Sequence, residues 1–133
     1  MKDIPIDLNK ESGEPHFEND TMVAVKSNNL KNNTLIGSYV IIPKSEVSSP
    51  FELSDKEWAD SKSLLLEVKK YIDEKYAPDG YNVGWNVGEV AGQSVAHAHM
   101  HIIPRYADEP YAGKGLRYWF KSSENIRKSL KED

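Results

Sequence analysis

His97-Ala98-His99-Met100-His101 packs three of the chain's four histidines into five positions at a spacing of two. On a strand, residues i, i+2 and i+4 share a face. A strand over residues 95–103 is therefore expected to line up the three imidazoles on one surface, with Ala98, Met100 and Ile102 on the other. Three readings of such a row compete. The plainest is a solvated or packed row with no chemistry. A second is a metal site, because neutral imidazole is the commonest metal ligand. On a straight strand, however, His97 and His101 stand about 13 Å apart, four residues at roughly 3.3 Å each. Metal–nitrogen bonds of about 2.0–2.1 Å reach all three only if the strand bends. Asp108, Glu109 or His16 are the acids and the remaining histidine available to complete such a set.

The third reading is nucleophilic catalysis. Imidazole attacks without first losing a proton, and its unperturbed pKa of about 6.5 leaves it largely neutral at pH 7. It needs one tautomer fixed: one ring nitrogen donates to a carbonyl and the other presents its lone pair. Flanking histidines can hold the ring, place positive charge beside a phosphate and assist a leaving group. Gly92-Gln93-Ser94 sits just ahead of the row and offers amide, hydroxyl and backbone N–H donors beside a permissive glycine, a combination suited to phosphate oxygens.

Composition narrows the choice. The chain has 133 residues, a size for one domain, and no cysteine, which excludes a thiol nucleophile, a disulfide framework and any cysteine-containing zinc site. Seventeen basic against twenty-one acidic residues make it net acidic, a poor match for non-specific nucleic-acid binding. The apolar runs are far shorter than the ~20 residues of a membrane span. The first residues show no apolar leader, so a cytoplasmic location is expected.

The elements that position the histidines follow from periodicity. Residues 1–20 are polar and carry Pro5, Gly13 and Pro15, an irregular arm. Thr21–Val25 and Leu35–Ile42 are β-favouring and flank an Asn-rich loop from Lys26 to Asn33; Pro43 is expected to close the second run. Ser54-Asp55-Lys56-Glu57 is a capping box, so a helix is expected to about Tyr76, with Trp58, Leu65, Val68 and Ile72 as its apolar stripe. Tyr81–Val87 alternates as a third strand and forms a hairpin with the histidine strand, which Pro104 ends. A short helix capped by Ser122 or Ser123 is expected through about Leu130. This is an α+β domain with a largely antiparallel sheet, divided into the arm 1–20, a core 21–105 and a C-terminal segment 106–133.

Asn86, Gly92-Gln93-Ser94 and His97-Ala98-His99-Met100-His101-Ile102-Ile103 together resemble the signature of the histidine-triad (HIT) family, His-φ-His-φ-His-φ-φ with φ apolar. Leu35–Lys44, ending in Ile-Pro-Lys, and the helix capped by Ser54 resemble it more loosely. The resemblance implies a HIT-like fold: a mostly antiparallel five-stranded sheet with one long helix and a short C-terminal helix, usually dimeric. It also implies a nucleotide hydrolase or nucleotidyl transferase that acts on a small-molecule nucleotide, with no cofactor and no resident metal. His99 would attack the α-phosphorus, supported by His97 and His101. Gln93 and Ser94 would hold phosphate or leaving-group oxygens, and Asn86 would contact the phosphate region. Lys26 and Ser27 stand where many members place a residue for the nucleoside. Ser38 and Ser45 occupy positions that are often histidine. His101-Ile102-Ile103-Pro104-Arg105 resembles the dinucleoside polyphosphate hydrolase branch. Arg105, Lys114 and Arg117 are candidates to meet a polyphosphate tail. A nucleoside phosphoramidase and a nucleotide-binding regulator without turnover are the alternatives. The many aromatics, with only one helix to cover a sheet, add to the expectation of a homodimer.

Overall fold

The computed structural model describes residues 15–27 and 34–130. Most of the expected arm, and the Asn-rich loop beyond Ser27, lie outside the described residues. Five strands, β1 (Phe17–Glu18), β2 (Met22–Lys26), β3 (Tyr39–Pro43), β4 (Gly80–Trp85) and β5 (Met100–Arg105), form one sheet in the order β1-β2-β3-β5-β4. Every pairing is antiparallel. The long helix α1 (Asp55–Tyr76) lies across one face. Short helical pieces follow, of which α2 (Leu116–Phe120) is the only α-helical one described after β5.

The capping box forms as expected. The Ser54 hydroxyl accepts from the Glu57 amide at 3.1 Å, and the Glu57 carboxylate accepts from the Ser54 amide at 2.8 Å. Ala77, at φ 49°, closes the helix in the left-handed region just before Pro78. The buried stripe is Ser61, Leu64, Val68 and Ile72, spaced three, four and four. It replaces the expected stripe at its start: Trp58 is half-exposed and Leu65 flanks the core, because a shift of one residue turns the face by about 100°. The stripe packs on Met22, Ala24, Tyr39, Ile41, Met100 and Ile102. No described helix is long and apolar enough to cross a membrane.

The strands are shifted from the sequence reading, by one residue at β2 (Met22–Lys26), by one or two at β4 (Gly80–Trp85) and most at β3 and β5. The run from Leu35 opens as a turn, with Leu35 at φ 53° and Gly37 at φ 87°, so β3 starts only at Tyr39. A Cβ at Gly37 would come within 3.1 Å of the Tyr76 ring and 3.2 Å of Pro104, so glycine is needed there for space as well as conformation. The expected 95–103 strand begins only at Met100 and runs through Pro104 to Arg105. Pro104 is tolerated because the β3 ladder stops at the Tyr39–Ile102 pair, so β5 is paired there on the β4 side alone. The expected helix over 122–130 is two single 3₁₀ turns, Ser123–Asn125 and Lys128–Leu130; the short C-terminal helix is α2, over the aromatic run instead.

Candidate active site

Strand alternation sorts the sheet into two faces. Met100, Ile102 and Pro104 point to the α1 side and are buried; His101, Ile103 and Arg105 line the other face, which is open along β5 although Val25, Val40 and Ile42 are buried on it farther across. The register sets His101 beside Val40 on β3 and Gly84 on β4. Gly84 has open space where a Cβ would stand.

His97 and His99 precede β5, in a bend, so the three rings are not a straight row. The cause is visible in the hydrogen bonds. The Ala98 amide donates to the Val47 carbonyl at 2.8 Å, and the buried His97 donates from Nε2 to the Pro43 carbonyl at 2.8 Å. Both contacts pull the segment against the end of β3 before the β5 ladder begins. The buried His99 then donates from Nδ1 to the His97 carbonyl at 3.0 Å. A carbonyl can only accept, so this bond fixes a proton on Nδ1 and leaves Nε2 as the uncommitted nitrogen. The His99 and His101 rings meet edge to face at 4.8 Å. Burial, first, and the neighbouring His99 hold the His101 pKa below its ordinary value, so this imidazole stays neutral to lower pH. Within this arrangement His99 has its Nδ1 proton tied to a carbonyl and a second imidazole beside it, an arrangement that suits attack by Nε2 on an electrophilic centre such as phosphorus.

Gln93 is held tightly. Its Oε1 accepts from the Gly88 amide at 2.8 Å, and its Nε2 donates to the carbonyls of Ser48 and Val95 at 2.9 Å each. The amide thus fastens the 88–95 loop to the segment after β3, which also receives Ala98. Ser94 is exposed in the same loop. The Asn86 side chain lies against Gly92, where a Cβ would sit 3.7 Å from its Nδ2. The structure thus gathers Asn86, Gln93 and Ser94 around one loop that feeds directly into the histidines.

Two expected site residues are placed differently. Lys26 pairs with Tyr39, whose ring is in the α1-side core, so by alternation Lys26 belongs to the face away from His101. Counting residues before the loop could not show this, since one position decides the face. Ser27 falls on the open-face side, and its amide donates to the Ser38 carbonyl at 3.1 Å. Arg105 shares the open face with His101, but its guanidinium is fully engaged. It donates to Asn82, to Glu109 at 2.7 and 2.9 Å, and to the Tyr111 and Lys114 carbonyls at 2.8 and 2.9 Å. It fastens the post-strand loop rather than waiting for an anion. The Arg105 guanidinium, and then the Tyr106 amide, hold the Glu109 carboxyl below its ordinary pKa. The sequence reading missed the carbonyls of Pro43, Val47 and His97 as site components, because backbone acceptors leave no mark in residue identity.

Among the described residues no group of three His, Asp or Glu side chains is arranged to hold a metal. The comparisons with known proteins agree with the geometry. The HIT domain matches residues 15–108. Adenosine 5'-monophosphoramidase hnt1 of Schizosaccharomyces pombe is 39% identical over 91 residues, which are 68% of this chain and 65% of that protein. The asymmetrical bis(5'-nucleosyl)-tetraphosphatase of the same yeast is 34% identical over 53% of this chain and 39% of its own length. The chain therefore spans less than two thirds of each of these relatives. The crystal structure of a HIT family member from Bacillus subtilis superposes with a TM-score of 0.62 at 30% identity, covering 72% of this chain and 68% of that one. On the triad, the sheet that carries it and these matches, the chain belongs to the HIT domain family.

Proposed function

We propose that the chain is a nucleotide hydrolase or nucleotidyl transferase that cleaves dinucleoside polyphosphates, such as diadenosine tetraphosphate, at the α-phosphate through a nucleotidyl-histidine intermediate. The observation that carries this reading is the His99 Nδ1–H bond to the His97 carbonyl, which leaves Nε2 as the nitrogen free to attack. The His99 Nε2–phosphorus bond forms as the bond from phosphorus to the bridging oxygen breaks, and the electron pair leaves on that oxygen. Water then attacks phosphorus, returns the pair to Nε2 and gives up a proton to solvent. His101 stands beside the attacking ring to assist this exchange, and His97 supplies the carbonyl that sets the tautomer. Asn86 and Ser94, both on the loop that feeds into the histidines, are the donors assigned to phosphate oxygens. Gln93 acts through the loop its amide holds, and Ser27 is the open-face residue available toward the nucleoside. The chemistry needs no cofactor. A nucleotide substrate fits a cytoplasmic enzyme, and a homodimer fits the sheet edge discussed below.

Phosphoramidase activity is the second reading, favoured by the identity to the yeast monophosphoramidase. The two differ only in the leaving group. Purified protein incubated with diadenosine tetraphosphate, adenosine 5'-phosphoramidate and a nucleotide sugar decides between them by which is turned over. Tight binding with no turnover of any would replace both readings with a nucleotide-binding regulator.

A further inference from the structure

One stretch of backbone holds the triad from outside it. At the end of β3 and just past it, the Pro43 carbonyl accepts from the His97 ring at 2.8 Å, the Val47 carbonyl from the Ala98 amide at 2.8 Å, and the Ser48 carbonyl from the Gln93 side chain at 2.9 Å. Residues 43–48 thus seat His97, the link between His97 and His99, and the loop that carries Gln93. An acceptor positions its partner only as firmly as its own backbone is held, and β3 ends at Pro43. The Lys44 amide still reaches the Thr21 carbonyl at 2.8 Å, which secures the first residue beyond the strand.

The next residue ties the stretch to the helix. The Ser45 hydroxyl donates to Glu57 Oε2 at 2.6 Å, while Oε1 of the same carboxylate accepts from the Ser54 amide at 2.8 Å. One oxygen of Glu57 caps α1; the other holds the backbone between the Pro43 and Val47 carbonyls. Capping does not call for the second bond, because Ser54 and Glu57 complete the reciprocal cap between themselves. The Ser45 hydroxyl, and then the Ser54 amide, keep the Glu57 carboxyl below its ordinary pKa, so at neutral pH it is an ionised acceptor. Behind Glu57 stands a 22-residue helix whose buried stripe is packed on the sheet.

We propose that Ser45 and Glu57 are positioning residues of the active site: through them the start of α1 sets where the Pro43, Val47 and Ser48 carbonyls lie, and so the bend that carries His97 and His99. Both act through backbone carbonyls rather than on substrate. The inference rests on the triad being the site of the proposed function, and its test needs no substrate. In the full chain, NMR follows solvent exchange of the His97 proton on Nε2 and of the His99 proton on Nδ1. Ser45→Ala, a change at an exposed side chain, is expected to speed exchange of the His97 proton about tenfold, the scale of one lost hydrogen bond to a charged acceptor. Ser45→Thr keeps the hydroxyl and is expected to restore the wild-type rate. Ser54→Ala also removes a bond from the helix start but leaves both Glu57 bonds possible, so its effect on that proton is expected to stay below about twofold. Exchange unchanged in Ser45→Ala, changed equally in Ser54→Ala, or not restored by Ser45→Thr overturns the inference. Failure of the wild-type chain to turn over any nucleotide bears on the proposed function alone, so the two can fail separately.

Discussion

At the scale of single residues, the tautomer of His99 separates it from its neighbours. Only His99 has Nδ1 tied to a carbonyl within the triad itself. His97 spends Nε2 on Pro43, and His101 has its charged form disfavoured by burial. His99→Ala is therefore expected to abolish the covalent step, with a rate loss of many orders of magnitude and partial retention of nucleotide binding. Rapid quenching at neutral or alkaline pH, followed by peptide mass spectrometry, should find one nucleoside monophosphate on His99. A label found reproducibly elsewhere, or near wild-type turnover by the alanine variant, would sink the assignment. His97→Ala removes a buried hydrogen bond and should cost about 1–3 kcal/mol of stability by denaturant titration, with a smaller rate loss than His99→Ala.

His101 also makes a pH prediction. Its folded pKa lies below the ordinary 6.5. Between the two values the unfolded chain binds the proton and the folded chain does not. Stability linked to this group is thus complete above about pH 6.5 and declines as pH falls toward the folded pKa. An NMR titration of the His101 ring should give a midpoint below 6.5, and His101→Asn should flatten the slope of stability against pH just below 6.5. A midpoint above 6.5 contradicts the burial argument. The triad itself was legible because period-two histidines are rare. Its bend was not, because the groups that cause it, the Pro43, Val47 and His97 carbonyls, are backbone.

At the scale of elements, local chemistry was read where it is self-contained. The helix from Ser54 to Tyr76 needs only its own caps and period, and both its ends were correct. Its buried face was read one residue off at Leu65, because Leu64, Leu65 and Leu66 are equivalent by composition and only the sheet selects among them. The strand ends were misplaced for a similar reason. Proline was expected to end strands at 43 and 104; β3 does end at Pro43, whereas β5 runs on through Pro104, because the neighbouring ladder decides whether the missing N–H matters. The helix start offers the cleanest test. Ser54→Ala removes one half of the reciprocal cap while leaving the Glu57 bond to the residue-54 amide possible. The expected loss is about 1 kcal/mol in chemical denaturation, with the site unaffected. A loss below about 0.3 kcal/mol would show that Glu57, which also accepts from the Ser45 hydroxyl at 2.6 Å, supports the turn by itself.

At the scale of the whole molecule, the sheet is unevenly covered. Ile102 and Val83 sit opposite each other in register on the α1 side, yet Ile102 is fully buried and Val83 is 46% exposed. The helix lies over β2 and β3 and reaches β4 only at its two ends, through Tyr81, whose hydroxyl donates to Asp73 at 2.7 Å, and through Trp85 against Trp58, so Val83 between them is left in the open. The order β1-β2-β3-β5-β4 leaves β4 with one neighbour, so its outer backbone groups are unpaired in the sheet. An edge strand that carries the exposed Val83 is the kind of surface a chain pairs or protects. No proline or lysine lies within β4 to blunt it. A second copy meeting the same edge across a two-fold axis extends the sheet and covers both apolar flanks at once, which is the self-complementary contact a dimer needs. Such an interface must exceed roughly 1,000 Å² to persist, more than a strand edge alone supplies, so the α1 flank has to take part. Sedimentation at micromolar concentration is expected to give a particle of about 30 kDa, twice the 15.1 kDa chain. Val83→Lys, which sets two ammonium groups near the axis, should shift it toward the single chain without unfolding it, because that side chain is already half in water. A wild-type particle of about 15 kDa ends the proposal; a Val83→Lys protein that stays dimeric moves the contact away from β4, to the exposed Leu116, Trp119 and Phe120 of α2.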